Sequence, residues 1–160
     1  MKTFTTIRIS ALSIFALLLF NASTYAASFT AVASGDWSSS TTWGGTAPSF
    51  TNTGGDIVIA SGITVTMDNN VTLNGAFASL NVAGTLTGSS STYLTATMGT
   101  ISGAGAIATG YVTLGTGALL AFSGTITTDY LKNMALSLKS VAAITVNKRL
   151  TVGANALLSI

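Results

Sequence analysis

The sequence contains no cysteine and no histidine. Without cysteine there is no disulfide framework, so any fold must be held by its own core or by neighbours. Without either residue the usual ligands of zinc, copper and iron are gone. Acidic residues number four, and all are aspartates: Asp36, Asp56, Asp68 and Asp129. Proline occurs once, at Pro48, and tryptophan twice, at Trp37 and Trp43. Charged side chains make up 6% of the chain, too few for an ion-pair-rich surface. They are also too few for the charge-rich, apolar-poor composition of most disordered chains.

The first 26 residues are set apart from the rest. Lys2 and Arg8 precede an apolar run from Ile9 to Phe20, and Thr24 and Ala26 are small residues at the positions before a cut. That order is the pattern of a secretory signal peptide. The run is short for a membrane span of about 20 residues, and no charged stop-transfer flank follows it. Cleavage is expected after Ala26, leaving a secreted or surface-exposed chain with no membrane span. Removing the segment removes Lys2 and Arg8. Four bases (Lys132, Lys139, Lys148 and Arg149) then balance four acids. The apparent basicity is thus no sign of nucleic-acid binding, and no basic stripe supports it. All four remaining bases follow Asp129, an asymmetry that would let successive parts of a stack attract, although four charges in a tail more often belong simply to solvated loops.

Hydroxyls take the place of charges. Serine and threonine total 46 of 160 residues beside 48% hydrophobic residues. Threonine is β-branched and suits a pleated surface. Apolar residues alternate in short runs: Ile57, Ile59; Ile63, Val65, Met67; Val71, Leu73; Leu80, Val82. Gly, Asn and Ser punctuate them, which reads as strand and turn. One window, Leu131 to Ala143, also fits a helix face through Leu131, Met134, Leu138 and Val141, but the context favours strand.

An internal repeat organises these strands. Val112–Phe122 aligns without gaps on Leu150–Ile160, 38 residues later, and Val71–Phe77 is a weaker copy 41 residues earlier. A period near 40 is either one propeller blade or two solenoid coils of about 20 residues. Intermediate short strands favour two coils, and no blade signature recurs. The expected fold is therefore all-β, a parallel β-helix (β-solenoid). Its expected layout is a signal peptide at 1–26, a capping segment at 27–56 and solenoid repeats at 57–160. Ending at Ile160 within its best repeat, without a polar closing segment, the chain reads as a fragment of a longer protein.

From Ser34 to Asp68, Trp37, Trp43 to Gly45, Pro48, Gly55 with Asp56, Gly62 and Asp68 follow in an order that resembles the opening of large secreted surface proteins of the Bacteroidetes type. The stretch is also similar to the start of the extracellular domain named for its eight glycines. The segment Leu131 to Ile160 resembles the repeats of the same surface proteins. The resemblance implies a right-handed parallel β-helix in an adhesin-like protein, commonly exported by a type IX system. It supplies no catalytic residues to carry over.

The residues themselves suggest little chemistry. Glycoside hydrolysis needs two carboxylates about 5–9.5 Å apart. Asp56 and Asp68 stand at strand edges, where aspartate commonly supports a turn. The stretch Met67–Asn70 offers too few oxygens for calcium, and Asn70-Val71-Thr72 is a sequon only in form. The glycines of Ile101–Gly110 read as turns. No catalytic set, cofactor or metal is expected. The leading expectation is a non-enzymatic, adhesin-like structural segment. The alternative is a carbohydrate-binding or carbohydrate-active accessory module, engaging extracellular glycans or cell-surface components through Trp37 and Trp43. In the competing view, preferred here, the two tryptophans cap the first coil. Burial of their rings decides between the two.

Overall fold

A computed structural model describes residues 27–134, 137–138, 143–154 and 157–158. The expected signal peptide, Val141 and Ala156 lie outside the described residues. Among the described residues the chain is all-β: fourteen strands in one parallel sheet, wound into about five stacked turns of a β-solenoid. Among the described residues no helix is long and apolar enough to cross a membrane.

Three strips of parallel ladder run along the stack. The first joins β1 (Phe29–Ala31), β4 (Gly55–Ile59) and β7 (Ala78–Val82) to the end of β9 (Tyr93–Gly103). It continues through the end of β10 (Ala106–Phe122) to β12 (Ser137–Leu138) and β14 (Leu157–Leu158). The second joins β2 (Gly35–Asp36), β5 (Thr64–Met67), β8 (Thr85–Gly88) and the start of β10, then the starts of β11 (Thr125–Asn133) and β13 (Ala143–Val152). The third joins β3 (Thr51–Asn52), β6 (Val71–Leu73) and the start of β9, then the middle of β10 and the ends of β11 and β13. Strand β10 touches all three strips, because its hydrogen bonding continues round the corners.

The 38-residue repeat is two coils. Val112 pairs with Leu131, which pairs with Leu150, in equal steps of 19. Within the window read as helix or strand, Leu131–Asn133, Ser137–Leu138 and Ala143 are strand, and no described residue of it is helical. Alternation puts every second side chain inside. Val71, Leu94, Val112 and Leu131 form one inward column, and Val65, Leu86, Ile107 and Ile126 another, all at most 2% exposed.

One corner shows why glycine recurs. Gly84, Gly105 and Gly124 each precede a strand of the second strip and lie over one another. A methyl group on Gly105 would sit 1.9 Å from the Gly84 carbonyl oxygen, and one on Gly124 1.9 Å from that of Gly105. The coils close to hydrogen-bonding distance there: Ala106 N–H donates to Gly84 C=O at 2.9 Å and Thr125 N–H to Gly105 C=O at 3.0 Å.

The segment at 27–56 is itself a coil. Strands β1, β2 and β3 pair in parallel with β4, β5 and β6, and β4 already begins at Gly55. The boundary expected at residue 56 therefore falls inside a strand. This first coil is longer than the others: Phe29 pairs with Ile57, 28 positions on, against 23 from Ile57 to Leu80, 21 from Leu80 to Ile101 and 19 from Ile101 to Leu120. The surplus lies between β2 and β3, where both tryptophans stand.

Candidate functional site

Trp37 directly follows β2, and its N–H donates to Thr66 C=O at 2.8 Å. This register gives it the inward position beside that of Met67. It is 0% exposed, and Trp43 is 7% exposed. The two rings meet edge to face with centroids 5.3 Å apart. Each indole N–H has a buried acceptor: Trp37 Nε1 donates to Pro48 C=O at 3.1 Å and Trp43 Nε1 to Trp37 C=O at 2.7 Å. A sugar platform needs an open ring face. Neither ring offers one, so Trp37 and Trp43 do not form the glycan platform weighed from the sequence. They pack inside the first coil.

The carboxylates serve as ties between coils. Asp56 accepts from Ser79 Oγ, and Asp68 accepts from both the backbone N–H and the hydroxyl of Ser38, next to Trp37. Asp129 carries the one ion pair of the described residues, with Lys148 Nζ at 2.8 Å, and accepts from Asn147 Nδ2 at 3.2 Å. A β-bulge explains how two neighbours reach one carboxylate. Between the pairs Thr128–Val146 and Tyr130–Arg149 the register shifts, so Asn147 and Lys148 together face Asp129. The Lys148 hydrogen bond, then that of Asn147, holds the Asp129 carboxyl below the usual carboxylate range, and Asp129 raises the Lys148 ammonium. Among the described residues no three acidic side chains gather as a metal site would require. Asn70, in the stretch considered for calcium, spends its side-chain oxygen on Tyr93 N–H at 2.9 Å.

The feature that sequence reasoning missed lies on the outside of the third strip. Tyr93, Tyr111 and Tyr130 occupy one register column. Their rings stack nearly parallel, with centroids 4.0 Å and 4.6 Å apart. Arg149 takes the next place in the column, its guanidinium 5.8 Å from the Tyr130 ring centre, while Lys148 Nζ lies 5.5 Å from the same centre. Cations at such distances are held by the ring quadrupole. Two residues along each strand runs a second outward column of Thr95, Thr113, Lys132 and Thr151. Between the columns lies a shallow groove of about 240 Å³. The hydrogen bond with Tyr93, then desolvation, raises the Tyr111 phenol above its ordinary value. Among the described residues neither Lys132 nor Arg149 has a carboxylate within ion-pair distance.

The fold and this face define a β-solenoid with a closed first coil and an aromatic, cation-ended outer strip. No family model, curated protein or solved structure matches the chain.

Proposed function

We propose that the chain is a non-enzymatic, adhesin-like structural segment of an exported surface protein, a stiff hydroxyl-rich rod that spaces or presents other surfaces. The observation that carries this reading is the uninterrupted stack. Aliphatic columns run from coil to coil, and three of the four aspartates are engaged as ties between coils. A solenoid of nearest-neighbour coils is stiff along its axis and offers a long lateral surface. The N-terminal segment of signal-peptide pattern and the resemblance to secreted surface β-helix proteins support export.

Two measurements test the reading. Sequencing the N-terminus of protein exported by a bacterial host should find Ala27. Incubating the purified protein with a panel of acidic and neutral polysaccharides should release no new reducing or unsaturated ends. Turnover that disappears on substituting one of the aspartates would replace the structural reading with an enzymatic one.

A further inference from the structure

We infer that the outer groove beside the tyrosine column binds a carboxylate-bearing polysaccharide, a polyuronate, across the stacked coils. The inference rests on the rod reading, because it gives the presented surface a ligand.

The argument starts from what the groove holds. Tyr111 and Tyr130 present ring edges and phenol oxygens, because their faces are covered by stacking. Thr113 and Thr151 add hydroxyls in the neighbouring column. Such a row is rigid before any ligand arrives, so little side-chain entropy is lost on binding. It offers donors and acceptors at the coil spacing of about 4.8 Å, suited to a hydroxyl-rich polymer.

The charges then select the polymer. Asp129 neutralises Lys148, and among the described residues Lys132 and Arg149 are the groove-lining cations with no carboxylate within ion-pair distance. Tyr130 pairs with Arg149, and Lys132 lies two residues beyond Tyr130, so the cations are diagonal neighbours on adjacent strands. With strands about 4.8 Å apart and about 3.3 Å of rise per residue, such positions lie roughly 8 Å apart. Two cations this close can share one carboxylate or take two along a chain. The guanidinium, held over Tyr130, presents a planar fork that matches a carboxylate in two parallel hydrogen bonds. Nucleic acid fits less well, because its binding draws on many cations along a charged backbone and this face supplies two. An enclosed small-molecule pocket fits less well too, because the groove of about 240 Å³ is shallow and smaller than such pockets usually are.

The test is a calorimetric titration of the purified protein with oligomers of polygalacturonate. Fully methyl-esterified oligomers and a single-stranded oligodeoxynucleotide serve as controls. The polyuronate should bind, and esterification should weaken it at least tenfold. Because it removes the charge-assisted hydrogen bonds to the carboxylates, the double variant Lys132→Gln/Arg149→Gln should lose about tenfold or more in affinity. Its melting temperature should fall by no more than a few degrees, since both side chains are exposed and only the contact of Arg149 with the Tyr130 ring is lost. Equal affinity for the esterified oligomer, unchanged affinity in the folded double variant, or no heat at millimolar ligand would each overturn the inference. So would oligonucleotide binding as tight as that of the polyuronate. Oligomers recovered shortened after titration would count instead against the rod reading, which separates the two failures.

Discussion

Replacing Trp37 by alanine should open the end of the stack. The ring is fully buried, touches Trp43 edge to face and donates to Pro48 C=O. Deleting a buried tryptophan side chain costs about 3–5 kcal/mol through lost transfer energy and the cavity left behind. The aromatic pair adds about 0.5–1.5 kcal/mol, so the expected loss is about 3.5–6.5 kcal/mol. For a domain of this size that is about 10–20 °C in Tm if unfolding stays cooperative. In a stack whose coils contact only their neighbours, the damage concentrates at the end. Hydrogen exchange should therefore accelerate first in β1 and β2 and least in β10. Trp37→Phe keeps an aromatic ring but drops the indole hydrogen bond, and should lose about 1–2 kcal/mol. Urea unfolding followed by circular dichroism, with exchange measured by mass spectrometry, reads all of this. A Trp37→Ala protein that melts within about 2 °C of wild type while losing glycan binding would refute the capping assignment and restore the platform.

Gly105→Ala should cost about 3 kcal/mol or more by overpacking, because the added methyl meets the Gly84 carbonyl and backbone cannot yield as a side chain does. Gly45→Ala, with nothing within 4 Å of the added carbon, should stay within about 0.5 kcal/mol, and a similar urea midpoint for both variants would contradict the close-approach argument. The Asp129–Lys148 pair predicts two pH limbs. The lowered carboxyl contributes stability above its unfolded value, lost as pH falls through the still lower folded value, below about pH 4. The raised ammonium contributes below its unfolded value, lost as pH rises through a folded value above 10.5. Asp129→Asn should flatten both limbs in a melting series from acid to strongly alkaline pH, and limbs unchanged in the variant would remove the pair as their source.

The later coils were legible in the sequence because they repeat with nearly constant length, so inward Leu, Ile and Val recur at fixed offsets. Val112, Leu131 and Leu150 are evenly spaced, and only the intermediate copy hid the single-coil period. The first coil was not legible as a coil. Its closing loop lengthens it and leaves no copy to align, so it read as a cap alone. The tyrosine column escaped for a different reason. Its members stand 18 and 19 positions apart, a period that was visible, yet the best alignment began at Val112, one residue past Tyr111. Extending it backward sets Tyr111 against Arg149, which looks like a mismatch in a list of identities. In three dimensions it is a continuation, since a guanidinium stacks on a phenol ring much as another ring does.

The same stacking explains why so little charge is present. In a parallel solenoid a residue lies over its counterpart in the next coil, about 4.8 Å away. Two like charges at that separation repel by about 1 kcal/mol even in water, and a repeat multiplies the cost at every turn. Threonine columns carry no such penalty, which is why Thr72, Thr95 and Thr113 succeed one another where charge would not be tolerated. Where charge does enter, it alternates in sign, as at Asp129 and Lys148, or it ends an aromatic column, as at Arg149. Lys132 follows the same rule, lying between Thr113 and Thr151 in its column with no like charge above or below. Stacking thus admits Lys132 and Arg149 without requiring them, and among the described residues neither has a carboxylate within ion-pair distance, which is what the proposed ligand would supply.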